Sequence, residues 1–238
     1  MMSLKQKILI VDDDPDIREV LSIQLGNEGY DVLEAADGMK AIGSVAQNPD
    51  VDLVILDVMM PGMSGVEACM EIRRISSVPI LFLTAKLKES DKAEAYGSGG
   101  DDYLVKPFSK AELMMKVKSL MRRYNVYKGK QETEPGDTEI HIHDIMVNRE
   151  SHKLTRDNQV LNITGTEYQI FMYLLGKRGK ACSAQEIYES VWGEKFMPSS
   201  SGTIMVHILN LRRKLELDPN NPLIIRTIWG KGYQIDDV

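Results

Sequence analysis

Three consecutive aspartates, Asp12, Asp13 and Asp14, follow the aliphatic run ILIV; Asp57 ends a second run, VDLVILD, and Lys106 follows a third, DDYLV. Carboxylates gathered in this way repel and raise one another's pKa unless a cation intervenes. A hard divalent ion meets that need, because Mg2+ takes oxygen ligands, accepts one or two carboxylates and keeps waters and a phosphate oxygen in its octahedron. Asp13 and Asp57 suit direct ligation, with Asp12 acting through a water. An ion held there would bring a phosphate against a carboxylate whose oxygen can attack phosphorus and form an acyl phosphate. The Lys106 ammonium supplies a further cation for the phosphoryl oxygens. Taken alone, each acid reads more simply as a turn residue or helix cap. Asp14 and Asp16 keep that simpler reading, since they flank Pro15 at a helix start, where acids favour the macrodipole.

These side chains meet only if their strands end at one rim. Residues 5–123 alternate KILIV, YDVLEA, VDLVILD, VPILFLT and DDYLV with helical stretches, four between the strands and a fifth after the last. Five βα units imply an α/β fold with a doubly wound, five-stranded parallel sheet, covered by helices on both faces. Ligands of such sheets gather at the carboxyl ends of the strands, which is where Asp12–Asp14, Asp57 and Lys106 fall.

At 238 residues, 43% hydrophobic and 27% charged, the chain can build two ordinary globular cores. It has no apolar run of 18 residues, and MMSLKQK carries no signal-peptide pattern, so a cytoplasmic protein with no membrane association is expected. Cys69 and Cys182 lack metal or redox spacing and read as small hydrophobes. Residues 124–137, YNVYKGKQETEPGD, are polar and aperiodic and read as a linker. Residues 138–238 then show short alternating strands to Asn162, three helical stretches and a terminal hairpin, IIRTIWGKGYQI, the pattern of a small α+β domain. Capping boxes pair Thr164 with Glu167 and Ser183 with Glu186.

The net charge of −6 comes mostly from the first 123 residues, while the last hundred are balanced. DNA binding would therefore need a local basic patch. In SGTIMVHILNLRRKLE, Ile204, Ile208, Leu211 and Leu215 form one buried stripe, opposite Gly202, Val206, Leu209, Asn210 and Arg213, with Thr203 at the margin. An exposed helix face bearing Val and Leu needs a cover, and the major groove suits it, with Asn210 on adenine and Val206 or Leu209 on thymine methyls. Arg212, Arg213 and Lys214 would hold phosphates and Lys231 would reach from the hairpin; the alternative for the RRK run is a solvated helix end. His207 reads as a packing or phosphate-contacting residue. Trp229 fits core or interface packing better than minor-groove insertion. His141 and His143 lack a third ligand for zinc.

The motifs IVDDD, LDVMMPGMSG, LTA and DDYLVKPF, in this order, resemble the CheY-like, flavodoxin-like receiver domain of two-component response regulators over residues 5–123. The resemblance implies that Asp57 is the phosphoacceptor, and that Asp12, Asp13, Asp57 and the Met59 carbonyl hold Mg2+. It also implies that Lys106 contacts the phosphoryl group before a cis Pro107, and that Thr84 and Tyr103 form the switch. Met59 and Lys86 occupy the family's positions that tune hydrolysis; Met59 has no group that could orient a water, so slow self-dephosphorylation is expected. Residues 138–238 resemble the winged-helix DNA-binding domain of the OmpR/PhoB family. That family dimerises through the helix before the fifth strand, the strand itself and the helix after it. Lys92 with Glu112, and Asp101 and Asp102 with Lys116 and Arg123, match its ion-pair positions. Gly97, Ser98 and Gly99 replace an acid-bearing helix end, which leaves Lys118 without an evident partner and predicts a looser helix end and a dimer that is weaker or more dependent on phosphorylation.

The resemblance implies a transcription regulator that catalyses only its own phosphotransfer. A sensor histidine kinase phosphorylates Asp57, the receivers form a homodimer, and paired winged helices bind tandem half-sites on promoter DNA, with RNA polymerase a further partner. Two rivals are an aspartyl-phosphate phosphatase of the haloacid dehalogenase type, for which DDDPDI offers Asp14 and Asp16 but not the full motif, and an adaptor whose output domain binds protein.

Overall fold

A computed structural model describes residues 5–85, 98–127, 139–197 and 200–236. Two compact units divide between Met121 and Arg122.

The first unit runs β1 (Lys7–Val11), α1 (Pro15–Asn27), β2 (Asp31–Ala35), α2 (Gly38–Gln47), β3 (Val51–Asp57), α3 (Gly65–Ile75), β4 (Ile80–Ala85), β5 (Asp102–Lys106) and α4 (Lys110–Tyr127). The five strands form one parallel sheet in the order β2-β1-β3-β4-β5. The helix expected between β4 and β5 would occupy residues 86–97, which lie outside the described residues, as do Lys86 and Lys92. Successive side chains of a strand point to opposite faces, and the sheet buries both. Leu9, Val11, Val54 and Leu56 pack on the α2 and α3 side. Ile8, Ile10, Leu53 and Ile55 pack on the α1 and α4 side. β3, central and buried at all seven positions, is the spine of the unit. Register pairs Val11 with Leu56, Asp57 with Leu83 and Ala85 with Lys106, so β1, β3, β4 and β5 finish along one rim.

Local chemistry fixes the helix starts at that rim. Asp14 caps α1 and Pro15 opens it, where the missing N–H of proline costs nothing. Ser64 and Glu67 close a capping box on α3. Gly65 begins α3 against the end of β3: a Cβ there would lie 2.0 Å from the Asp57 carbonyl oxygen, so only glycine permits this approach. At the other end of the unit, α4 continues to Tyr127, so Tyr124–Tyr127 are helical and not part of the expected linker; residues 128–137 lie outside the described residues.

The second unit contains β6 (Glu139–Ile142), β7 (Ile145–Asn148), β8 (Lys153–Arg156) and β9 (Gln159–Val160), an antiparallel meander. α5 (Gly165–Gly176), α6 (Ala184–Trp192), α7 (Ser201–Leu215) and the hairpin β10 (Ile225–Ile228) with β11 (Gly232–Ile235) follow. Cys182 bridges to Tyr233 and holds the hairpin against the segment before α6. Gly232, at φ +130°, is required there, because a Cβ would meet the Cys182 carbonyl oxygen at 2.0 Å. Ile204, Ile208, Leu211 and Leu215 enter one core with Phe171, Leu174, Ile187 and Trp192, as the stripe in α7 implies.

Both expected capping boxes of this unit form. The one on α5 does more than cap: Glu167, 1% exposed, accepts the Thr164 N–H at 2.7 Å and binds the Lys214 ammonium at 2.7 Å. It thereby ties α5 to the end of α7. Removing the carboxylate strips the cap and leaves Lys214 without its partner. Because that ammonium is 30% exposed, the loss in Glu167→Ala should be about 2–3 kcal/mol, below that of a fully buried pair. Chemical unfolding followed by circular dichroism measures it, and a loss under about 0.5 kcal/mol, as for an ordinary surface site, would contradict the assignment.

Candidate functional site

Three strand ends assemble the acidic rim. Lys106 from β5 donates to Asp57 Oδ1 at 2.5 Å and to Asp12 Oδ2 at 2.8 Å, so one ammonium joins β1, β3 and β5. The second Asp57 oxygen accepts the Met59 N–H at 2.7 Å, and the second Asp12 oxygen accepts the Asp14 N–H at 3.0 Å. Asp12 and Asp57 are buried, while Asp13 and the Met59 side chain are exposed at the mouth. Thr84, 1% exposed, ends β4 beside them and donates its hydroxyl to the Ala85 carbonyl at 2.8 Å. Tyr103 is half-buried on the α2 and α3 side. The Lys106–Pro107 peptide is cis, as expected. Asp14 Oδ1 accepts the Asp16 N–H at 2.9 Å, a helix-start role that leaves no support for Asp14 as a nucleophile.

Burial raises the pKa of Asp57 above the ordinary aspartate value; Lys106 pulls it down and Asp12 pushes it up, and the net shift is upward. Burial pushes the Lys106 ammonium down, but its bonds to Asp12 and Asp57 outweigh this and raise it overall. Two buried carboxylates, Asp12 and Asp57, share this one ammonium. Among the described residues no group of three or more His, Cys, Asp and Glu converges as a ready metal cage. Asp12 and Asp57 already share one cation, and Asp13 offers an exposed carboxylate beside them.

The second candidate surface is α7 and the hairpin. Thr203, Val206, His207 and Asn210, expected to face DNA, are 2%, 7%, 2% and 5% exposed. His207 packs against the Trp192 ring, centroids 5.5 Å apart, and Thr203 and Asn210, four residues before and three after it, share that flank of the helix. The exposed face instead carries Met205, Leu209 and Arg213. Arg212 is not turned to solvent for phosphates: it donates to the Ile225 carbonyl at 2.7 Å and to Thr227 Oγ1 at 2.8 Å, pinning the hairpin. Lys214 is committed to Glu167. Lys231 is exposed at the hairpin turn, and Trp229 beside it is 91% exposed, which excludes the core half of its expected core or interface packing.

Residues 8–118 match the family model for the response regulator receiver domain, and residues 158–235 match that for the C-terminal domain of transcriptional regulatory proteins. The chain is 46% identical over 228 residues to the uncharacterized transcriptional regulatory protein YrkP of Bacillus subtilis, spanning 96% of this chain and 97% of that one. The chain belongs to the OmpR/PhoB family of response regulators. The DNA-binding response regulator MtrA of Mycolicibacterium smegmatis is 37% identical over 235 residues, 98% of each chain. The fold matches that of a RitR mutant, with a TM-score of 0.77 over 98% of this chain and 100% of the other at 22% identity. As a member of the OmpR/PhoB family the protein is a two-component transcription regulator, and no described helix is long and apolar enough to cross a membrane.

The residues at the family's dimer positions are placed unequally. Asp102 pairs with Lys116 of the same chain at 3.1 Å. Asp101, 1% exposed, turns inward to Arg73 at 2.7 Å and the Ile80 N–H at 3.0 Å, out of reach of a second copy. Arg123 is 1% exposed with its guanidinium 4.9 Å from the Trp192 ring centroid, so it too is withdrawn. Glu112 closes a capping box with Ser109. Lys118, expected to lack a partner, faces Glu28 at 3.6 Å. The helix end expected to be loose lies with Gly97 outside the described residues; beyond it, Arg73 donates to the Gly99 carbonyl at 2.8 Å and Cys69 to the Ser98 carbonyl at 3.5 Å. Sequence reasoning missed Arg73 and Glu216, whose carboxylate accepts the N–H groups of Leu223, Ile224 and Ile225. Neither lies in a motif, because both act on backbone groups distant in sequence.

A group whose folded pKa is raised contributes stability below its unfolded pKa and loses it as pH rises through the folded value. Ionised Asp57 therefore opposes folding at neutral pH. Asp57→Asn should raise Tm there by on the order of 2–4 °C, an advantage that disappears below about pH 4, where the aspartate is protonated in both states. A melting series across pH measures this, and a variant less stable than the parent at neutral pH would contradict it.

Proposed function

We propose that a sensor histidine kinase donates a phosphoryl group to Asp57, and that this promotes receiver dimerisation and binding of paired winged helices to tandem DNA half-sites. The observation that carries the reading is the Asp57 carboxylate, held at a strand end by Lys106 and the Met59 N–H beside Asp12. Asp12, Asp13, Asp57 and the Met59 carbonyl are the ligands for Mg2+, which when bound neutralises charge on the transferred group. An Asp57 oxygen attacks phosphorus as the bond to the donor nitrogen breaks. Lys106 then binds a phosphoryl oxygen in exchange for the Asp57 contact it makes here. Thr84 turns its hydroxyl from the Ala85 carbonyl to the phosphoryl group, and Tyr103 moves inward behind it, the two-state element that the new charge biases.

Lys92, Glu112 and Lys116 are the dimer surface of this reading, joined by Asp101, Asp102 and Arg123 where these buried side chains turn outward. On DNA, Leu209, Arg213 and Lys231 make the first contacts, with RNA polymerase a partner of the assembled complex. The protein acts in the cytoplasm and turns over no external substrate, and Met59, without a group to orient water, leaves the phosphoryl group long-lived.

Incubation with a small acyl phosphate and Mg2+, read by intact mass and by selection of genomic DNA, tests this. Phosphorylation should be lost in Asp57→Asn and Asp13→Ala but retained in Asp14→Ala, and DNA recovery should rise with phosphorylation. Arg213→Ala should weaken binding to all sites alike and lower the salt slope by about 1. Equal losses in the Asp13 and Asp14 variants, or recovery indifferent to phosphorylation, would refute it.

A further inference from the structure

Among the described residues, Arg18 is a strongly placed side chain beside the acidic rim that neither the motifs nor the proposed phosphotransfer uses. It sits one turn into α1, its backbone N–H bonded to the Asp14 carbonyl at 3.2 Å. Its side chain folds back under the loop that carries the acids. Nη1 donates to the Asp12 carbonyl at 2.7 Å and to the Asp13 carbonyl at 3.2 Å, and Nε lies 3.5 Å from Glu34 Oε2 at the end of β2. The guanidinium is only 16% exposed.

Two successive carbonyls that converge on one nitrogen fix the backbone of the residues whose carboxylates are to be aimed. Asp12 is held at three points, by Arg18 on its carbonyl, by the Asp14 N–H and by Lys106 on its carboxylate. Asp13 is different: its carboxylate is exposed. The hold of Arg18 on its carbonyl, together with the capped start of α1, is what orients it. The planar fork suits this task, since it meets two carbonyls and a carboxylate at once, whereas an ammonium makes point contacts.

We infer that Arg18 is a positioning residue for the Mg2+ site, fixing the main chain of Asp12 and Asp13 so that their carboxylates bind the ion without reorganisation. The inference rests on the reading of these acids as Mg2+ ligands. It has a sign that distinguishes it from simple electrostatics. Were the guanidinium only a nearby positive charge, its removal would strengthen binding of a cation. As an outer support of the ligands, its removal weakens binding, by about 10–100-fold on the scale of such partners in metal sites.

Calorimetric titration of the whole chain with Mg2+ decides between these, and thermal melting without metal reports the fold separately. Arg18→Met should weaken Mg2+ binding by about tenfold or more while the metal-free melt changes little, and Arg18→Lys should recover part of the affinity through one carbonyl. Glu34→Gln, which leaves the guanidinium in place but loosens its hold, should give a smaller loss in the same direction and serves if Arg18→Met does not fold. Unchanged or tighter binding in Arg18→Met, or in Glu34→Gln where that variant stands in, overturns the inference. Binding by the parent protein keeps that failure separate from the failure of the metal-site reading, which absence of Mg2+ binding in the parent would overturn together with this inference.

Discussion

One ammonium placed between two buried carboxylates governs this receiver. Lys106 bonds to both Asp12 and Asp57, and without a cation between them two acids at neighbouring strand ends would repel in a medium that screens poorly. The sheet exists in the form that allows this. β1, β3 and β5 must finish level, β3 must be apolar enough to run through the centre, and α3 must start close enough to the end of β3 that Gly65 touches the Asp57 carbonyl. Two carboxylates share one ammonium, and burial raises Asp57 despite it. Such a pair favours further positive charge, which supports the proposed divalent ion and the proposed exchange of Lys106 onto a phosphoryl oxygen.

The second unit shows the opposite use of cations. Arg212, Lys214 and Arg156 are spent on architecture: Arg212 fastens the hairpin to α7, Lys214 fastens α7 to the cap of α5, and Arg156 donates to the Leu215 carbonyl. Arg73 does the same in the first unit by holding Gly99, Val78 and Asp101. The charges left for DNA at α7 and the hairpin turn are therefore few, with Arg213 and Lys231 foremost.

Much of this was legible in the sequence. The strand runs are read from apolar β-branched stretches, and VDLVILD corresponds residue for residue to β3 because a strand buried on both faces has no alternation to blur its ends. The capping boxes were equally plain, since both partners lie within one turn. The stripe Ile204, Ile208, Leu211 and Leu215 followed from helical period alone. What the sequence could not disclose was the commitment of long polar side chains. A helical wheel puts Arg212 on a face, but the acceptor that holds it is a carbonyl thirteen residues on. Likewise, His207 is buried against Trp192, which no local pattern announces. For Trp229 a large aromatic suggests a core or an interface, and its place in the turn between β10 and β11 excludes the core.

The account stands on the coupling of Asp57 to Lys106, and a carboxyl-carbon NMR titration of metal-free protein measures it directly. Asp57 should titrate above the usual aspartate value of about 4, and Lys106→Met should move it higher still, because the ammonium is what holds it down. An Asp57 that titrates at or below the usual value, or that is indifferent to the loss of Lys106, would contradict the account.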